Sequence, residues 1–188
     1  MPYRRKAGYK SFRKNMKKLI IVCGLPGSGK TTFASELSKK TGIVCLHKDS
    51  IKEKLFEGLN LSTLEESKRI GKPSVDIMLY LAEQQIANGI DIIIEAPFAF
   101  PGDYKIFEEW KEKYDIDLYS IICFLDAEER KKRFSNRSRN HAHFDEMRME
   151  DHFSENEYDY ASIPGEQIMI KTDEPTSELV RKVILQVE

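Results

Sequence analysis

The chain has 188 residues and a mass of 21.8 kDa, which is typical of one domain. Hydrophobic residues make up 40% of it and charged residues 32%. This composition supplies one core and excludes an intrinsically disordered protein. The longest apolar run, Leu19–Leu25, ends at Pro26, far short of the roughly 18 residues of a membrane span and without a secretion-type cleavage site. We therefore expect a cytoplasmic protein with no membrane contact.

The cysteines exclude a disulfide scaffold. Cys23, Cys45 and Cys123 are odd in number, far apart and without a CxxC pair. Such usage is typical of an intracellular protein. We predict that all three are reduced residues buried in strands.

Charge is distributed unevenly, although the net charge is only -1. Residues 1–18 contain eight basic residues and no acidic one, which leaves 22 basic and 31 acidic residues, a net charge of -9, in the rest of the chain. A basic arm of this kind either contacts nucleic acid or another anionic surface, or is a solvated flexible tail, or precedes a start at Met16. The sequence thus divides into an arm, 1–18, and a domain, 19–188.

From Lys17 onward, short apolar runs alternate with helical segments, which indicates an α/β domain with a parallel sheet. The runs show no polar alternation, as expected of strands that are covered on both faces. The predicted strands are Leu19–Cys23, Ile43–Leu46, Ile90–Ile94, Leu118–Leu125 and Gln167–Ile170.

Helix punctuation stands between the predicted strands. Pro73 suits a first helical position, and apolar residues follow it with a 3.6-residue period. Asp126 and Glu129 have the spacing of a capping box, and Pro175 opens a last helix. The polar stretch 136–164 contains no predicted strand, so it is either an irregular flap or a small subdomain.

A phosphate-binding motif follows the first predicted strand. The segment GLPGSGKT, residues 24–31, matches G-x-x-x-x-G-K-[ST] between a strand and a helix. Its glycines allow the backbone N–H groups to approach phosphate oxygens, and the helix dipole adds positive potential. Lys30 can neutralise β- and γ-phosphate oxygens, Thr31 can bind Mg²⁺, and Thr32 is a second hydroxyl donor. The predicted nucleotide-binding residues are Gly24, Leu25, Pro26, Gly27, Ser28, Gly29, Lys30, Thr31 and Thr32.

The chain resembles the small P-loop kinases in three features. They are this motif, an aspartate after the second predicted strand and an arginine-rich segment after the fourth. The branch in question contains polynucleotide kinase, zeta toxin and chloramphenicol phosphotransferase. The resemblance spans roughly Lys17 to Glu188, and the P-loop is its one sharp motif. It implies a three-layer α/β P-loop NTPase fold with a five-stranded parallel sheet in the order 2-3-1-4-5. It also implies ATP, Mg²⁺ and an arginine-rich lid at about residues 133–152.

Asp49 is the candidate catalytic carboxylate. It follows an apolar strand at the sheet edge where α/β proteins bind ligands. In the kinases that the chain resembles, the matching aspartate binds the acceptor hydroxyl and takes its proton. The alternative is an N-cap for a helix that begins at Ser50 or Ile51. Lys52 stands where an arginine is more usual, and lysine lacks the bidentate fork, so the acceptor stays open.

Glu95 directly follows the third predicted strand, at its carboxyl end. It resembles the acidic position that related kinases use to hold the water shell of Mg²⁺, where aspartate is more common. The alternative is a solvated carboxylate at a strand end. Phe98 and Phe100 either pack in the core or line an acceptor pocket beside Glu95, and Trp110 is expected to pack.

Arginine is concentrated after the fourth predicted strand. Five arginines fall within nineteen residues, at 130, 133, 137, 139 and 148. The four-residue spacing puts Arg133 and Arg137 on one helix face, and the cluster resembles a kinase lid that closes over ATP. Arg137 is the first candidate for phosphate contact and Arg133 the second. The alternative is a solvated face paired with nearby acids.

The segment 50–67 contains no arginine. Nucleoside-monophosphate kinases, by the pattern of that family, use arginines there to bind the acceptor phosphate. We therefore expect the acceptor to present a neutral hydroxyl.

The histidines after residue 140 form a poor metal pattern. Two of them lie at i and i+2, and no cysteine is near, unlike a zinc site. The residues concerned are His141, His143 and His152, with Asp145 and Asp151.

These features predict an ATP- and Mg²⁺-dependent phosphotransferase that moves the γ-phosphate to a hydroxyl acceptor. The acceptor is either a small molecule or a nucleic-acid 5′-hydroxyl that the basic arm helps to bind, although the acidic domain argues against a polynucleotide groove. The alternative is an ATP-binding switch or an ATPase without a small acceptor. The predicted catalytic residues are Lys30, Asp49, Arg133 and Arg137, with Thr31 and Glu95 at the metal.

Overall fold

The structure, a computed structural model, describes residues 17–99, 102, 104–149, 153 and 160–187. Most of the predicted basic arm lies outside the described residues. Phe100, Asp151 and His152, for which the sequence suggests roles, also lie outside them.

Five parallel strands form one sheet in the order β2-β3-β1-β4-β5, which confirms the predicted order. Each strand overlaps one of the predicted apolar runs. The strands are β1 (Lys17–Cys23), β2 (Cys45–His47), β3 (Ile92–Glu95), β4 (Ile116–Phe124) and β5 (Glu166–Lys171).

The first strand begins inside the segment that was predicted as an arm. Lys17 and Lys18 pair with β4, and the Lys18 N–H donates to Asp91 Oδ1 at 3.0 Å. The domain therefore starts two residues earlier than the charge pattern indicates.

Helices cover both faces of the sheet. Those whose bounds fall within the described residues are α1 (Lys30–Thr41), α2 (Lys48–Gly58), α3 (Leu64–Arg69), α4 (Gly71–Ala87), α5 (Lys105–Tyr114), α6 (Ala127–Asn136) and α7 (Thr176–Val187). Two 3₁₀ turns, His141–His143 and Glu146–Arg148, follow α6. No helix among the described residues is long and apolar enough to cross a membrane.

Two apolar cores lie on opposite sides of the sheet, which confirms the three-layer architecture. Leu19 and Ile21 belong to the core that includes residues of α4 and α5, whereas Ile20 and Val22 belong to the core under α1 and α7. All four are fully buried, and such burial stabilises the fold by about 1.5–3 kcal/mol per large apolar side chain. Trp110 packs in the first core, as expected.

Two helix starts differ from the sequence prediction. Asp126 is the N-cap of α6, but its side chain makes no capping hydrogen bond. Its carboxylate pairs with Lys171 at 3.3 Å, and Glu129 pairs with Arg133 at 3.4 Å. The predicted capping box is therefore wrong, because both carboxylates have other partners.

A capping box forms instead at the start of α3, where the Thr63 and Glu66 side chains cap each other's backbone. Pro73 is the third residue of α4 and not its first, since that helix begins at Gly71.

All three cysteines are free thiols. Cys23 and Cys123 are buried in strands as predicted, but Cys45 is only half-buried in β2. Burial raises the pKa of Cys23 to about 12, so this thiol is unreactive at neutral pH.

Candidate active site

The loop between β1 and α1 has the backbone geometry of a phosphate cradle. Gly24 and Gly27 have φ values of 142° and 81°. A Cβ atom at Gly24 would overlap the carbonyl oxygen of Cys123, and one at Gly27 would overlap that of Arg130. Only glycine fits at these two positions, which explains why the sequence has glycine at both.

Side chains from α6 and from the residue after β5 hold this loop. Thr172 Oγ1 donates to the carbonyl oxygen of Ser28 at 2.7 Å, and Arg130 Nη1 donates to that of Pro26 at 3.3 Å. The Ser28 hydroxyl is buried and has no hydrogen-bond partner among the described residues. Buried polar groups are normally satisfied, so an orphan hydroxyl inside the loop fits a site that receives ligand oxygens.

Glu95 lies at the end of β3, directly beside the P-loop. Thr31 Oγ1 donates to Glu95 Oε1 at 3.2 Å, and Lys30 Nζ is 3.8 Å from the same oxygen. His47 Nδ1 is 2.9 Å from Glu95 Oε2. Glu95 is 1% exposed, so the interpretation as a solvated strand-end carboxylate is wrong.

The Thr31 hydroxyl and the Glu95 carboxylate are hard oxygen donors, the kind of ligand that Mg²⁺ prefers. Among the described residues there is no group of three or more His, Cys, Asp or Glu side chains that could hold a metal ion by itself. The residues present therefore fit an ion that shares its coordination with nucleotide phosphates, and they do not fit an all-protein metal cage.

Asp49 is the second residue of α2, whose N-cap is His47, so its interpretation as an N-cap is wrong. Its carboxylate pairs with Lys48 at 3.1 Å and with the guanidinium of Arg139. Burial by itself would raise the pKa of Asp49, but the surrounding cations, first Lys48 and then Arg139, lower that pKa well below its usual range. The carboxylate is thus ionised at neutral pH and is a hydrogen-bond acceptor of low basicity.

The two lid arginines do not share a helix face. Helix α6 ends at Asn136, and Arg137 has an extended backbone, so the prediction from their four-residue spacing is wrong. Both arginines nevertheless line a cleft of about 430 Å³ beside the P-loop. Arg133 contacts Glu129 at 3.4 Å, and Arg137 pairs with Asp145 at 3.0 Å. The P-loop cleft, as we call it, is lined by residues that include Lys30, Thr31, Thr32, Asp49, Arg133, Arg137 and Arg139.

The chain after Arg137 is docked on α2 and α3. Ala142 is fully buried against Phe56 and Ile70, and His143 Nε2 is 2.8 Å from Glu53 Oε1. Ala142, Phe56 and Ile70 form a small apolar cluster that is separate from the two cores of the sheet. The lid segment is therefore held by apolar packing as well as by polar contacts.

The lid histidines that the structure describes have protein partners. His141 packs edge-on against Phe56 with ring centroids 5.4 Å apart. His143 lies between Glu53 and Arg139, and Asp145 binds two arginines. These contacts do not form a metal site.

A second cavity of about 390 Å³ lies next to the P-loop cleft, and we call it the side cavity. It is enclosed by α2, the start of α4, the chain after β3 and the lid segment. Phe98 is 3% exposed and both packs in the core and lines this cavity. Asp49 lines both the side cavity and the P-loop cleft, so its carboxylate stands at their junction.

Three residues of the site were missed by the sequence analysis. Arg139 was seen only as a member of the arginine cluster, because nothing in the sequence pairs it with Asp49, ninety positions away. His47 ends β2 and Thr172 directly follows β5. The rule that ligand-binding residues lie at the carboxyl ends of parallel strands would have identified these two.

Comparison with known proteins places the chain among P-loop proteins. Residues 19–154 match the family described as the AAA domain. A stretch of 79 residues is 30% identical to cytidylate kinase from Ignicoccus hospitalis. That match covers 42% of this chain and 46% of the cytidylate kinase, so the chain spans less than half the length of this curated relative.

Several solved structures share the fold. One of them is a protein from Chloroflexus aurantiacus that is described as a kinase without a named substrate. Its TM-score is 0.78 and its identity 22%, over 92% of this chain and all of that one. The APS kinase of Mycobacterium tuberculosis, solved with AMPPNP and APS, has a TM-score of 0.61 and 18% identity, over 92% and 98% of the two chains. Shikimate kinase from Acinetobacter baumannii, solved with shikimate, has a TM-score of 0.54 and 12% identity, over 93% and 94%. At these identities the similarity shows the fold, which is that of the small P-loop kinases.

Proposed function

For this chain, which belongs to the AAA domain family, we propose the function of a kinase. It would transfer the γ-phosphate of ATP to a hydroxyl group of a small-molecule acceptor. The observation that carries the proposal is the position of Asp49 at the junction of the P-loop cleft and the side cavity. A carboxylate there can orient an acceptor hydroxyl in line with a phosphate that the P-loop holds.

The nucleotide phosphates would bind along the loop from Gly24 to Thr32. The positive end of the α1 dipole and the Lys30 ammonium neutralise phosphate charge. The orphan hydroxyl of Ser28 supports this role, because it has an unused donor inside the loop.

Thr31 and Glu95 would hold Mg²⁺ together with the phosphates. When bound, such an ion neutralises charge on the β- and γ-phosphate oxygens. The contact of His47 with the second Glu95 oxygen fixes the orientation of this carboxylate and leaves the oxygen near Thr31 for the ion.

The lid would supply positive charge to the transferring phosphoryl group. Arg133 and Arg137 line the P-loop cleft, and Arg137 would exchange its ion pair with Asp145 for a phosphate oxygen. Charge stabilisation of this kind is a large part of phosphoryl-transfer catalysis. We assign residues 133–152 to the lid and the chain from Lys17 onward, where the first strand begins, to the kinase domain.

The depressed pKa of Asp49 defines what its carboxylate can do. A weak base does not deprotonate the acceptor before attack. Asp49 instead accepts a hydrogen bond from the hydroxyl and takes the proton as the new oxygen–phosphorus bond forms. This order suits a loose transition state, in which little nucleophile activation is needed.

The test is ADP release from Mg²⁺-ATP, first alone and then with sugars, sugar acids, nucleosides, CMP, 5′-hydroxyl oligonucleotides and aminoglycoside or phenicol antibiotics. We expect turnover to rise with one acceptor class. Lys30→Ala should lower kcat by about 10²–10³-fold, the usual effect of removing one charge-stabilising group. Lys54→Ala is the matched control, because that lysine is exposed on α2 and pairs only with Glu57 among the described residues.

A flat response across the panel, with ATP hydrolysis that survives Asp49→Asn, would contradict the proposal. That result would favour the alternative of an ATP-binding switch or an ATPase without a small acceptor.

A further inference from the structure

Positive charge is concentrated around the side cavity. Among the described residues, seven cationic side chains and two carboxylates line it: Lys30, Lys48, Lys52, Lys72, Arg137, Arg139 and Arg148 with Asp49 and Asp145. The chain after residue 18 is net negative, so this cavity has the opposite sign to the domain that contains it. Clefts lined by one sign of charge raise the local concentration of ligands of the other sign.

Most of these cations already have a role or a partner. Lys30 and Arg137 belong to the P-loop cleft as well. Lys48 and Arg139 bind the Asp49 carboxylate, Lys72 pairs with Asp76 on α4, and Arg148 also has a partner. These contacts leave the charge of one lining residue, Lys52, to be explained.

Lys52 is buried, with an exposed fraction of 1%, and it lines the side cavity. Among the described residues it makes no hydrogen bond and no ion pair. Burial first, and then the nearby charges of Lys48 and Arg148, lower its pKa to about 8. Buried ammonium groups are normally paired, because an unpaired charge away from water is costly. A lysine in this state is suited to an anion that enters the cavity.

The position of Lys52 on α2 also sets its distance from the reacting group. Asp49 and Lys52 are three residues apart in the same helix and line the same cavity. Side chains with this spacing are neighbours, with Cβ atoms about 5–6 Å apart. A ligand that contacts both therefore carries its hydroxyl and its anionic group only a few bonds apart.

The remaining walls of the side cavity are apolar. They are contributed by Leu25, Val75, Ala96 and Phe98, among others. A volume of about 390 Å³ is within the usual range for small-ligand sites. Such a site fits the carbon skeleton of a small hydroxylated compound.

We propose that the acceptor is a small hydroxylated anion whose carboxylate, phosphate or sulfate group is bound by Lys52 while its hydroxyl is oriented by Asp49. This inference rests on the proposed function and specifies its acceptor. The acceptor oxygen forms a bond to the γ-phosphorus as the bond from that phosphorus to the β–γ bridging oxygen breaks. ADP leaves with the bonding electron pair, and the hydroxyl proton passes to Asp49 and then to solvent.

The inference refines the expectation of a neutral acceptor. That expectation came from the lack of arginine between residues 50 and 67. The reacting group remains a neutral hydroxyl, but the charge that recognises the rest of the molecule comes from a lysine of α2, with lid arginines beside it.

The experiment compares acceptors in pairs in which one member carries an anionic group and the other lacks it: shikimate with its methyl ester, gluconate with glucitol, glycerol 3-phosphate with glycerol, and a sugar sulfate with the free sugar. We expect kcat/KM to be at least about tenfold higher for the charged member of the productive pair, the effect of one charge-assisted contact. The pair that responds identifies the anionic group.

Lys52→Met should raise KM for the charged acceptor and abolish the preference, whereas Lys52→Arg should retain it. Lys54→Met, on the exposed face of α2, is the control and should change neither. Equal rates for charged and neutral members, or a Lys52→Met protein that keeps the preference, would overturn the inference.

A binding measurement separates this inference from the proposed function. With the P-loop saturated by Mg²⁺–AMPPNP, sulfate is titrated into the wild type and Lys52→Met proteins by calorimetry. If no acceptor is turned over but sulfate binding is lost in Lys52→Met, the proposed function fails and the anion site stands. If CMP is converted to CDP, the reacting group is a phosphate oxygen and not a hydroxyl, and both the proposed function and this inference are overturned. Sulfate binding that is equal in both proteins overturns the anion site.

Discussion

The buried ammonium of Lys52 favours the binding of an anionic acceptor but destabilises the ligand-free fold. Its ammonium is buried beside other cations and unpaired among the described residues, which lowers the free energy of unfolding of the ligand-free protein. We expect Lys52→Met to remove this cost and to stabilise the folded protein by about 1–3 kcal/mol. At this chain length each kcal/mol raises the Tm by about 2–4 °C, so the Tm should rise by several degrees. Scanning calorimetry beside Lys54→Met, which should leave the Tm unchanged, measures the effect. A Lys52→Met protein less stable than the wild type would show that the ammonium has a stabilising partner.

The same residue predicts a pH dependence. The pKa of Lys52 is about 8 in the folded chain, whereas its ordinary value is 10.5. Between these two pH values Lys52 is protonated in the unfolded chain and largely neutral in the folded chain. The cost of the buried charge is fully present below pH 8 and is relieved as the pH rises toward 10.5. The Tm advantage of Lys52→Met should therefore shrink over this window. An advantage that stays constant would contradict the assignment of the effect to charge.

The pKa of Asp49 is lowered like that of Lys52, but in an acid this shift favours the charged form, so the prediction is different. Its pKa is lowered from 3.8, so the carboxylate is ionised throughout the neutral range, and the stability from its ion pairs is lost only as the pH falls below that value. We expect Asp49→Asn to reduce kcat by about 10²–10⁴-fold with little change in KM for ATP. The wild-type pH–rate profile should show no acidic limb from this group above pH 5. An acidic limb near neutrality that disappears in Asp49→Asn would contradict the depressed pKa.

The P-loop as an element depends on contacts that leave no space for a side chain. Gly27 has a positive φ, and a Cβ atom there would meet the backbone of Arg130 in α6. Gly42, which ends α1, has a similar φ of 74° but open space around it. Both alanine variants carry left-handed strain of about 1–2 kcal/mol, and only Gly27→Ala must also displace α6.

We therefore expect Gly27→Ala to lose ATP binding and to be less stable than Gly42→Ala. Fluorescence titration with an ATP analogue and thermal denaturation of the two variants measure this difference. If Gly42→Ala lost as much ATP affinity as Gly27→Ala, backbone strain alone would explain the result and the close approach of α6 would be irrelevant.

The elements differ in how far the sequence predicts them, and the difference has a physical cause. β1 and the P-loop are specified locally, because a buried apolar run and a Gly-Lys-Thr turn allow few other structures. The start of α6 was predicted from Asp126 and Glu129, but Lys171 and Arg133 compete for those carboxylates. A short-range capping pattern cannot anticipate partners that the tertiary fold supplies.

The lid was predicted as a region but not as a set of contacts. Arg139 reaches Asp49 across ninety residues, and Ala142 is buried between α2 and α3. Neither contact leaves a periodic or spacing signal, because it depends on how the segment after α6 folds back. The cationic side cavity was missed for the same reason: its charges come from α2, α4 and the lid, and each looks like an ordinary surface residue in the sequence.

At the scale of the molecule, every described residue of both apolar cores and of both cavities follows Lys17. We therefore expect the basic arm to be dispensable for the packing and for the candidate site. We expect deletion of residues 1–15 to leave the Tm and the kcat/KM for a small acceptor unchanged. Because residues 1–15 hold six of the eight basic residues before Leu19, any weak binding of a 5′-hydroxyl oligonucleotide should be lost with them.

Denaturation, kinetics and fluorescence anisotropy at low and moderate salt measure these three properties on the same deletion variant. Oligonucleotide affinity that depends on the arm should fall steeply with salt in the intact chain, since phosphate contacts release counterions. Turnover of a small anion should depend on salt much less, because its charge meets a buried lysine that salt screens weakly. A deletion that abolished turnover of small acceptors would instead make the arm part of the catalytic unit and would contradict the division of the chain at the first strand.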